Sequence, residues 1–554
     1  MFQQLVAVAL VATLLGAPAA ALASPSDGGV DWSAPHPEEE TPAASLVAIL
    51  PNPTAPGDRG EYVVVRFDGR TNLAGWSLAD DEGSAALPDR TVSGTVAFTA
   101  HPGAVPAGVA DQTVAVTGFP ALANGGETVV LRRNGVRIDA ETYRNAPSGA
   151  RWDGTRWIAP GETDFAPARS GPTTVRAFVT PDSAVPLDAL DRANDRIWLA
   201  GYTFASHRAA DALLAAHERG VSVRVLVDAD PVGGTTARQV AVLDRLADAG
   251  IEVRVLGGEE ARYDFHHAKY AVADERALVL TENWKPSGSG GHANRGWGVA
   301  VRGDTVAALE AVFDADWQAR DASSWEDHRS SIDPVSGDVA TGSYRQTIPP
   351  ETVPVDDVTV LVAPDNAERS LRTLVAGAET SVSIEQMAVG SVETPLMRAA
   401  ISAARNGSRV RVLLSRAWYV ESENGRVVRR LNALAEREGL DLRAKLVTPG
   451  DRFEKLHAKG VVVDGRHVVV GSVNWNRHSL RENREVAVVL TGEAVGTYYD
   501  AAFDADWQAE EPDAPVPGVL LGAAVVSAAG VGVLFRRQVS FETGNEPVNT
   551  RGRL

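Results

Sequence analysis

Two stretches of this 554-residue chain carry the same chemical groups at the same spacing. His267, Lys269 and Asp274 form one His-x-Lys-x4-Asp set, and His457, Lys459 and Asp464 form another. An imidazole can attack or carry a proton near neutral pH. A lysine ammonium is a compact positive charge suited to close approach by a phosphate oxygen. Two of each, in matched settings, suit displacement at a phosphate ester. In a β-branched run, residues two apart point to one face of a strand, so His457 and Lys459 share a face. Asp464-Gly465 is a hairpin-turn signal between Gly460–Val463 and His467–Val470, and the returning strand carries Asn474 back towards the His/Lys end. A single His-x-Lys is commonly a solvated strand edge. Two copies with the same strand, turn and Asn-Trp ending make a functional site the better reading. Lysine is also scarce: of 53 basic residues only Lys269, Lys285, Lys445, Lys455 and Lys459 are Lys, and two of these five lie in the motifs.

These residues resemble the phospholipase D superfamily, whose signature is a duplicated His-x-Lys-x4-Asp followed by Gly-Ser and an Asn. The second copy matches at His457, Lys459, Asp464, Gly471, Ser472, Asn474, Asn483 and Glu485. In the first copy Thr281-Glu282 stands at the Gly-Ser place, the Asp-to-Asn interval is one residue shorter, and Gly296 stands where the later acid is expected. The resemblance implies catalytic roles for His267, Lys269, Asp274, His457, Lys459 and Asp464. It also implies phosphate binding by Asn283, Asn474 and Ser472, and orientation of a histidine by Glu485. One neutral His would attack phosphorus to give a phosphohistidine while the other, protonated, donates to the leaving alcohol; in this family the first-copy residue, here His267, is usually the nucleophile. The lysines and asparagines would neutralise developing charge, so no metal and no cofactor are expected. His266, on the opposite strand face, reads as structural. Arg477, His478 and Arg481 read either as headgroup contacts or as exposed loop surface.

The elements that position these groups follow from the pattern along the chain. Residues 1–23 read as a signal peptide, with an apolar run from Leu5 to Leu15 and a small-residue end at Ala21-Leu-Ala23. Residues 24–43 read as a linker. Over 44–145, short β-type runs between turns predict an all-β immunoglobulin-like sandwich. Pro51-Asn-Pro53, Leu73-Ala-Gly-Trp-Ser-Leu78 and Asn124-Gly-Gly-Glu-Thr-Val-Val-Leu131 resemble a lamin-tail domain, implying a spacer or a module for a surface ligand. No constellation of His, Cys or paired carboxylates is apparent there. Residues 146–171 read as a connector.

From 172 the chain alternates strands and helices, which predicts α/β halves with mixed, mostly parallel sheets. Half one spans 172–322 and half two 356–510, with a linker at 323–355. The motifs repeat at an offset of 190 residues, as do the endings Phe313-Asp-Ala-Asp-Trp317 and Phe503-Asp-Ala-Asp-Trp507. This internal duplication predicts a pseudo-two-fold enzyme whose two His-x-Lys strands meet between the halves. The repeated endings read as helix packing anchors.

After a spacer at 511–515, residues 516–535 form an uncharged run long enough to span a bilayer as a transmembrane helix. Arg536-Arg537 follow, which puts the tail 536–554 on the cytoplasmic side and the catalytic body outside. Without cysteine, no disulfides hold an exported chain. The net charge of -19 argues against an extended nucleic-acid surface.

The reading that results is a single-pass, membrane-anchored, extracytoplasmic phosphodiesterase of phospholipase D type, acting on phospholipid or another phosphodiester. An extracellular nuclease is the alternative enzyme, and a basic groove would favour it where an apolar rim would favour lipid. From another class, Thr281, Glu282 and Gly296 allow a surface adhesion protein with a partly decayed catalytic half.

Overall fold

The computed structural model describes residues 44–509, apart from 54–57, 107–108, 259–260, 338–339 and 341. The expected signal peptide, the linker at 24–43, the acidic spacer, the span 516–535 and the tail lie outside the described residues. Among the described residues no helix is long and apolar enough to cross a membrane.

The N-terminal unit is two sheets, one of six strands and one of four. Alternating residues of Tyr62–Asn72 and Thr91–Thr99 turn inward with Trp76 and Leu131 to form one core. Phe67 meets Trp76 and Phe98 edge-on, at 5.5 and 6.4 Å between ring centres. Paired carboxylates are not apparent from the sequence here, yet Glu61 and Glu127 are both buried. They cap one loop: Glu61 accepts the Leu122 N–H, and Glu127 accepts the Ala123 N–H and the Tyr143 hydroxyl. Burial pushes the Glu61 carboxyl up to about 7.

Each half of the remaining body is a sheet with helices on its outer face. In half one, Arg196–Gly201, Ser222–Asp228 and Glu252–Leu256 run parallel, joined by helices His207–Glu218 and Ala237–Asp248. Ser206 and Thr236 cap those helices through their side chains. The motif hairpin, Tyr270–Ala273 with Arg276–Leu280, pairs antiparallel on the other side of Arg196–Gly201. Half two repeats this with Ser381–Gln386, Arg409–Leu414 and Leu442–Leu446, then Lys459–Val463 and His467–Gly471.

The expectation of mostly parallel sheets is corrected. Only two pairings in each sheet, of nine and eight strands, are parallel, so the sheets are mixed and mostly antiparallel. Thr173–Val179 and Arg196–Gly201 do run in one direction, but the motif hairpin and Trp297–Arg302 are inserted between them.

The two connectors also differ from free chain. Arg151–Trp152 and Trp157–Ile158 extend the N-terminal sheet, while Ala168–Ser170 pairs with Asp357–Ala363 of half two. Within 323–355, Glu351–Val355 pairs with Thr173–Val179 of half one.

The two sheets face each other across a shared core. Tyr270, Val272, Val299 and Val301 of half one pack with Val462, Val468, Val470 and Val488 of half two. The helices Asp304–Trp317 and Glu493–Trp507 contribute Phe313, Trp317, Tyr499 and Phe503. This is where the paired endings sit, and Trp297 stacks on Tyr499 across the halves at 4.8 Å.

Candidate active site

Backbone pairing between the halves sets the site. The segment leading into each motif lies against the Asn-Arg segment of the other half. The His267 N–H donates to the Arg484 carbonyl at 2.9 Å, and the Arg484 N–H to Phe265 at 3.0 Å. The His457 N–H donates to Arg295 at 2.8 Å, and the Arg295 N–H to Lys455 at 2.9 Å. Both arginines are buried and each reaches an aspartate of the opposite half's repeated ending. Arg484 pairs with Asp316 at 3.0 Å and Arg295 with Asp506 at 2.7 Å. Arg484 also meets Asp365 at 3.1 Å. The Asp of Phe-Asp-Ala-Asp-Trp is therefore a counter-ion in the inter-half lock as well as part of a packing helix.

On this frame each histidine is held by a carboxylate from the other half. His267 Nδ1 lies 2.9 Å from both Glu485 oxygens, and His457 Nδ1 lies 3.0 Å from Glu282 Oε1. Both acids are buried and each is steadied by the asparagine of its own Asn-Arg pair. Asn483 Nδ2 donates to Glu485 at 3.1 Å, and Asn294 Nδ2 to Glu282 at 3.0 Å. Ser479 adds a short hydroxyl bond to Glu485. A carboxylate on Nδ1 holds the proton there and leaves the Nε2 lone pair for chemistry. Lys459 Nζ lies 3.2 Å from His457 Nδ1 and 3.4 Å from its Nε2, and donates to the His457 carbonyl at 2.8 Å. Lys269 donates to the His267 carbonyl. The Tyr202 ring packs edge-on against His267 at 4.7 Å.

The electrostatics favour an incoming anion. Burial lowers His267 to about 4 and His457 to about 3, against the opposing pull of Glu485 and Glu282. Burial likewise drives Lys269 well down and Lys459 to about 8. Burial pushes Glu485 upward, but His267 and Lys269 outweigh it and hold the acid at about 2. Both imidazoles are thus neutral at pH 7 in the free protein. A bound phosphodiester brings the negative charge that favours protonation of one imidazole and of the lysines.

The remaining residues singled out in the sequence fall into two groups. Asn283 and Asn474 are buried, with amide oxygens that have no hydrogen-bond partner among the described residues. Asp274 and Asp464 are not brought to the histidines. Each sits in the hairpin turn at positive φ and accepts backbone N–H groups, from residues 194–196 and 379–381 respectively. Their catalytic assignment gives way to turn anchoring, because the strand between places them at the far end of the hairpin. Ser472 bonds the backbone, accepting the Val486 N–H at 3.0 Å and donating to its carbonyl at 3.2 Å, and its hydroxyl also helps to lower Glu485.

The loop residues near the site are tied into ion pairs. Arg481 grips Glu368, and His478 bonds Glu482 at 2.7 Å and lies 3.4 Å from Asp264. The trio Asp264, His478 and Glu482 brings three ligand-type atoms within 4.8 Å of one another. They are partly exposed and already bonded together, as an inter-half ion-pair set.

Sequence reasoning missed Glu282, Asn294, Arg295 and Asp316 as parts of the site. The repeated Asn-Arg and Phe-Asp-Ala-Asp-Trp phrases were the available signal. It also missed the rim. Among the described residues five large hydrophobic side chains stand exposed, and three of them, Val232, Trp418 and Tyr419, lie in matching loops of the two halves. The Val232 N–H donates to Tyr202, and the Tyr419 ring lies 5.5 Å from Lys455, two residues before His457. Trp418 is 64% exposed.

Residues 187–317 and 371–507 match the family model described as cardiolipin synthase, phospholipase D-like domain. No curated protein matches the sequence. Among solved structures, the chain is similar to phosphatidylserine synthase of Haemophilus influenzae, at 13% identity and TM-score 0.45, over 59% of this chain and 84% of that one. It is also similar to Nuc of Salmonella typhimurium, a phospholipase D family member, at 21% identity and TM-score 0.25, over 28% and 97%. NucT of Helicobacter pylori follows at 18% identity and TM-score 0.23, over 27% and 94%.

Proposed function

The chain belongs to the phospholipase D superfamily, and from that premise we propose that it is a phospholipid phosphodiesterase held at the outer face of a membrane. In the first step Nε2 of one histidine attacks phosphorus, an N–P bond forms, the P–O bond to the leaving alcohol breaks, and the other histidine gives that oxygen its proton. Water then attacks the phosphohistidine, the second histidine takes the water's proton, and the N–P bond breaks. Lys269, Lys459, Asn283 and Asn474 stabilise the equatorial oxygens. The carboxylates on Nδ1 support this division of labour, since they leave Nε2 as the reacting atom of both rings. His267 is the proposed nucleophile and His457 the acid.

The observation that carries phospholipid as substrate is the rim. Exposed Trp418 and Tyr419, the latter 5.5 Å from Lys455, with Val232 in the matching loop of half one, suit acyl chains and the headgroup boundary better than a polyanion. A chain of net charge -19 agrees. The uncharged run 516–535 followed by Arg536-Arg537 supports the anchor, and the N-terminal β unit is proposed as a lamin-tail-like spacer that holds the site at a distance or meets a surface ligand.

The test is turnover by the full chain on diacyl and diether phospholipid vesicles and on DNA, beside His267→Ala, His457→Ala and Trp418→Ala. Loss of turnover in both histidine variants is expected. Trp418→Ala should slow hydrolysis of vesicles but spare a short-chain soluble phospholipid. Cleavage of DNA alone, indifferent to Trp418, would overturn the lipid reading.

A further inference from the structure

We infer that Glu282 and Gly296 are a transposed pair, in which the acid that positions His457 has moved to another strand end and Gly296 is the space it requires. The inference rests on the two-histidine reading above and says how the divergent half remains wired for it.

Strand register, and not residue type, gives the correspondence between halves. Ala273 pairs with Arg276 across a two-residue turn, whereas Val463 pairs with His467 across three. The residue that half one lacks therefore lies in its hairpin turn. Beyond the turn, Leu280 pairs with Gly298 as Gly471 pairs with Ala487. Thr281 is thus the counterpart of Ser472, and their hydroxyls do one job: Thr281 accepts the Trp297 N–H at 2.9 Å where Ser472 accepts the Val486 N–H at 3.0 Å. Asn283-Trp284 then corresponds to Asn474-Trp475, Glu282 to Val473, and Gly296 to Glu485. Half two carries its acid on the returning strand and an apolar residue at the strand end. Half one carries the reverse.

The two positions compete for one volume. A Cβ at Gly296 would lie 2.3 Å from Glu282 Cγ, 2.7 Å from its Oε1 and 2.8 Å from Thr281 Oγ1. Both arrangements place a carboxylate within 3.0 Å of Nδ1 of the opposite half's histidine, and both use the asparagine of the Asn-Arg pair to steady it. Glu282 is a positioning residue, acting through His457 and leaving its Nε2 for the substrate.

A double-mutant cycle on the full chain in detergent tests this, using Glu282→Val, Gly296→Glu and both together, with Glu282→Asp as the conservative variant. Removing a group that orients a catalytic imidazole lowers turnover by about 100-fold to 10,000-fold. Each of Glu282→Val and Gly296→Glu should therefore lose kcat with KM little changed. The double variant should regain at least about tenfold over Glu282→Val, since non-additivity of that sign is what shared volume and shared function require. Glu282→Asp should fall between.

A second readout needs no substrate: 15N spectra of His457, assigned with His457→Gln, should show the Nδ1–H tautomer in the parent and the double variant but not in Glu282→Val. Unchanged kcat and tautomer in folded Glu282→Val would overturn the inference. So would a double variant no better than the worse single at equal thermal stability. If the parent hydrolyses no phosphodiester, the functional reading fails while the tautomer series still decides the role of Glu282.

Discussion

Replacing Arg484 by Met tests the inter-half lock most directly. The guanidinium is fully buried, paired with Asp316 at 3.0 Å and Asp365 at 3.1 Å, and donates to Thr163 Oγ1 at 2.9 Å. Met keeps most of the stem but loses the guanidinium that lies 4.6 Å over the Tyr263 ring, and both carboxylates lose this cation. Removing one partner of a buried pair costs about 3–5 kcal/mol. Asp316 retains Arg262 at 3.5 Å, and Asp365 keeps the Thr163 hydroxyl at 2.9 Å, so the lower end of that range is expected. The loss should be read as the shift in urea midpoint at unchanged slope, followed through tryptophan fluorescence, since Trp284, Trp297 and Trp475 are buried in the two-half body. The cost comes from stranded charge, so Arg484→Met with Asp316→Leu should recover more than about 1 kcal/mol relative to the single variant. Turnover should fall in parallel, because the Arg484 carbonyl holds the His267 N–H and Glu485 is its neighbour. A single variant costing under about 1 kcal/mol, or a double variant showing the plain sum of both losses, would refute a charge-paired lock.

Three further outcomes are expected. Asp464→Ala should cost about 1–3 kcal/mol through the loss of its charged hydrogen bonds to the N–H groups at 379–381 while leaving kcat of the folded protein within a few-fold; a thousandfold loss of kcat at full stability would restore Asp464 to the catalytic set. Burial places His266, His267 and His457 at about 4, 4 and 3, so the unfolded chain takes up their protons first. Their stabilising contribution is complete above about pH 6.5 and falls towards pH 4 by about 1.4 kcal/mol per pH unit per histidine; urea titrations at pH 7 and pH 5 should show the drop and His266→Gln should lessen it, whereas equal stabilities would refute the assignment. Lys459, brought down to about 8 by burial, loses its charge above that pH, so kcat/KM should decline on the alkaline side. A profile flat to pH 10 would show that its charge is not used.

Much of the site was legible because its signals are local. The two-residue period of a strand fixes His457 and Lys459 on one face, and Asp464-Gly465 turns the chain at left-handed φ. The helices His207–Glu218 and Ala237–Asp248 follow from apolar periodicity bounded by Ser206, Thr236, Gly220 and Gly250. What escaped was non-local. The short connector strands carry too few residues for a period and exist only against a sheet edge. The excess of antiparallel pairing depends on where a hairpin inserts, which a run of alternating elements does not encode.

The chemical inventory is local: two histidines, two lysines, their duplication, and the strand that aims each pair. Its wiring depends on which groups meet when the two halves close. Residue type matched Glu282 to Ser472, whereas strand register matches it to Val473 and brings it to His457, 175 residues away in the chain. Glu485 reaches His267 across 218 residues. The role of a buried carboxylate is set by the group it faces when the halves close, because in a site shielded from water only that partner offsets the cost of burying its charge.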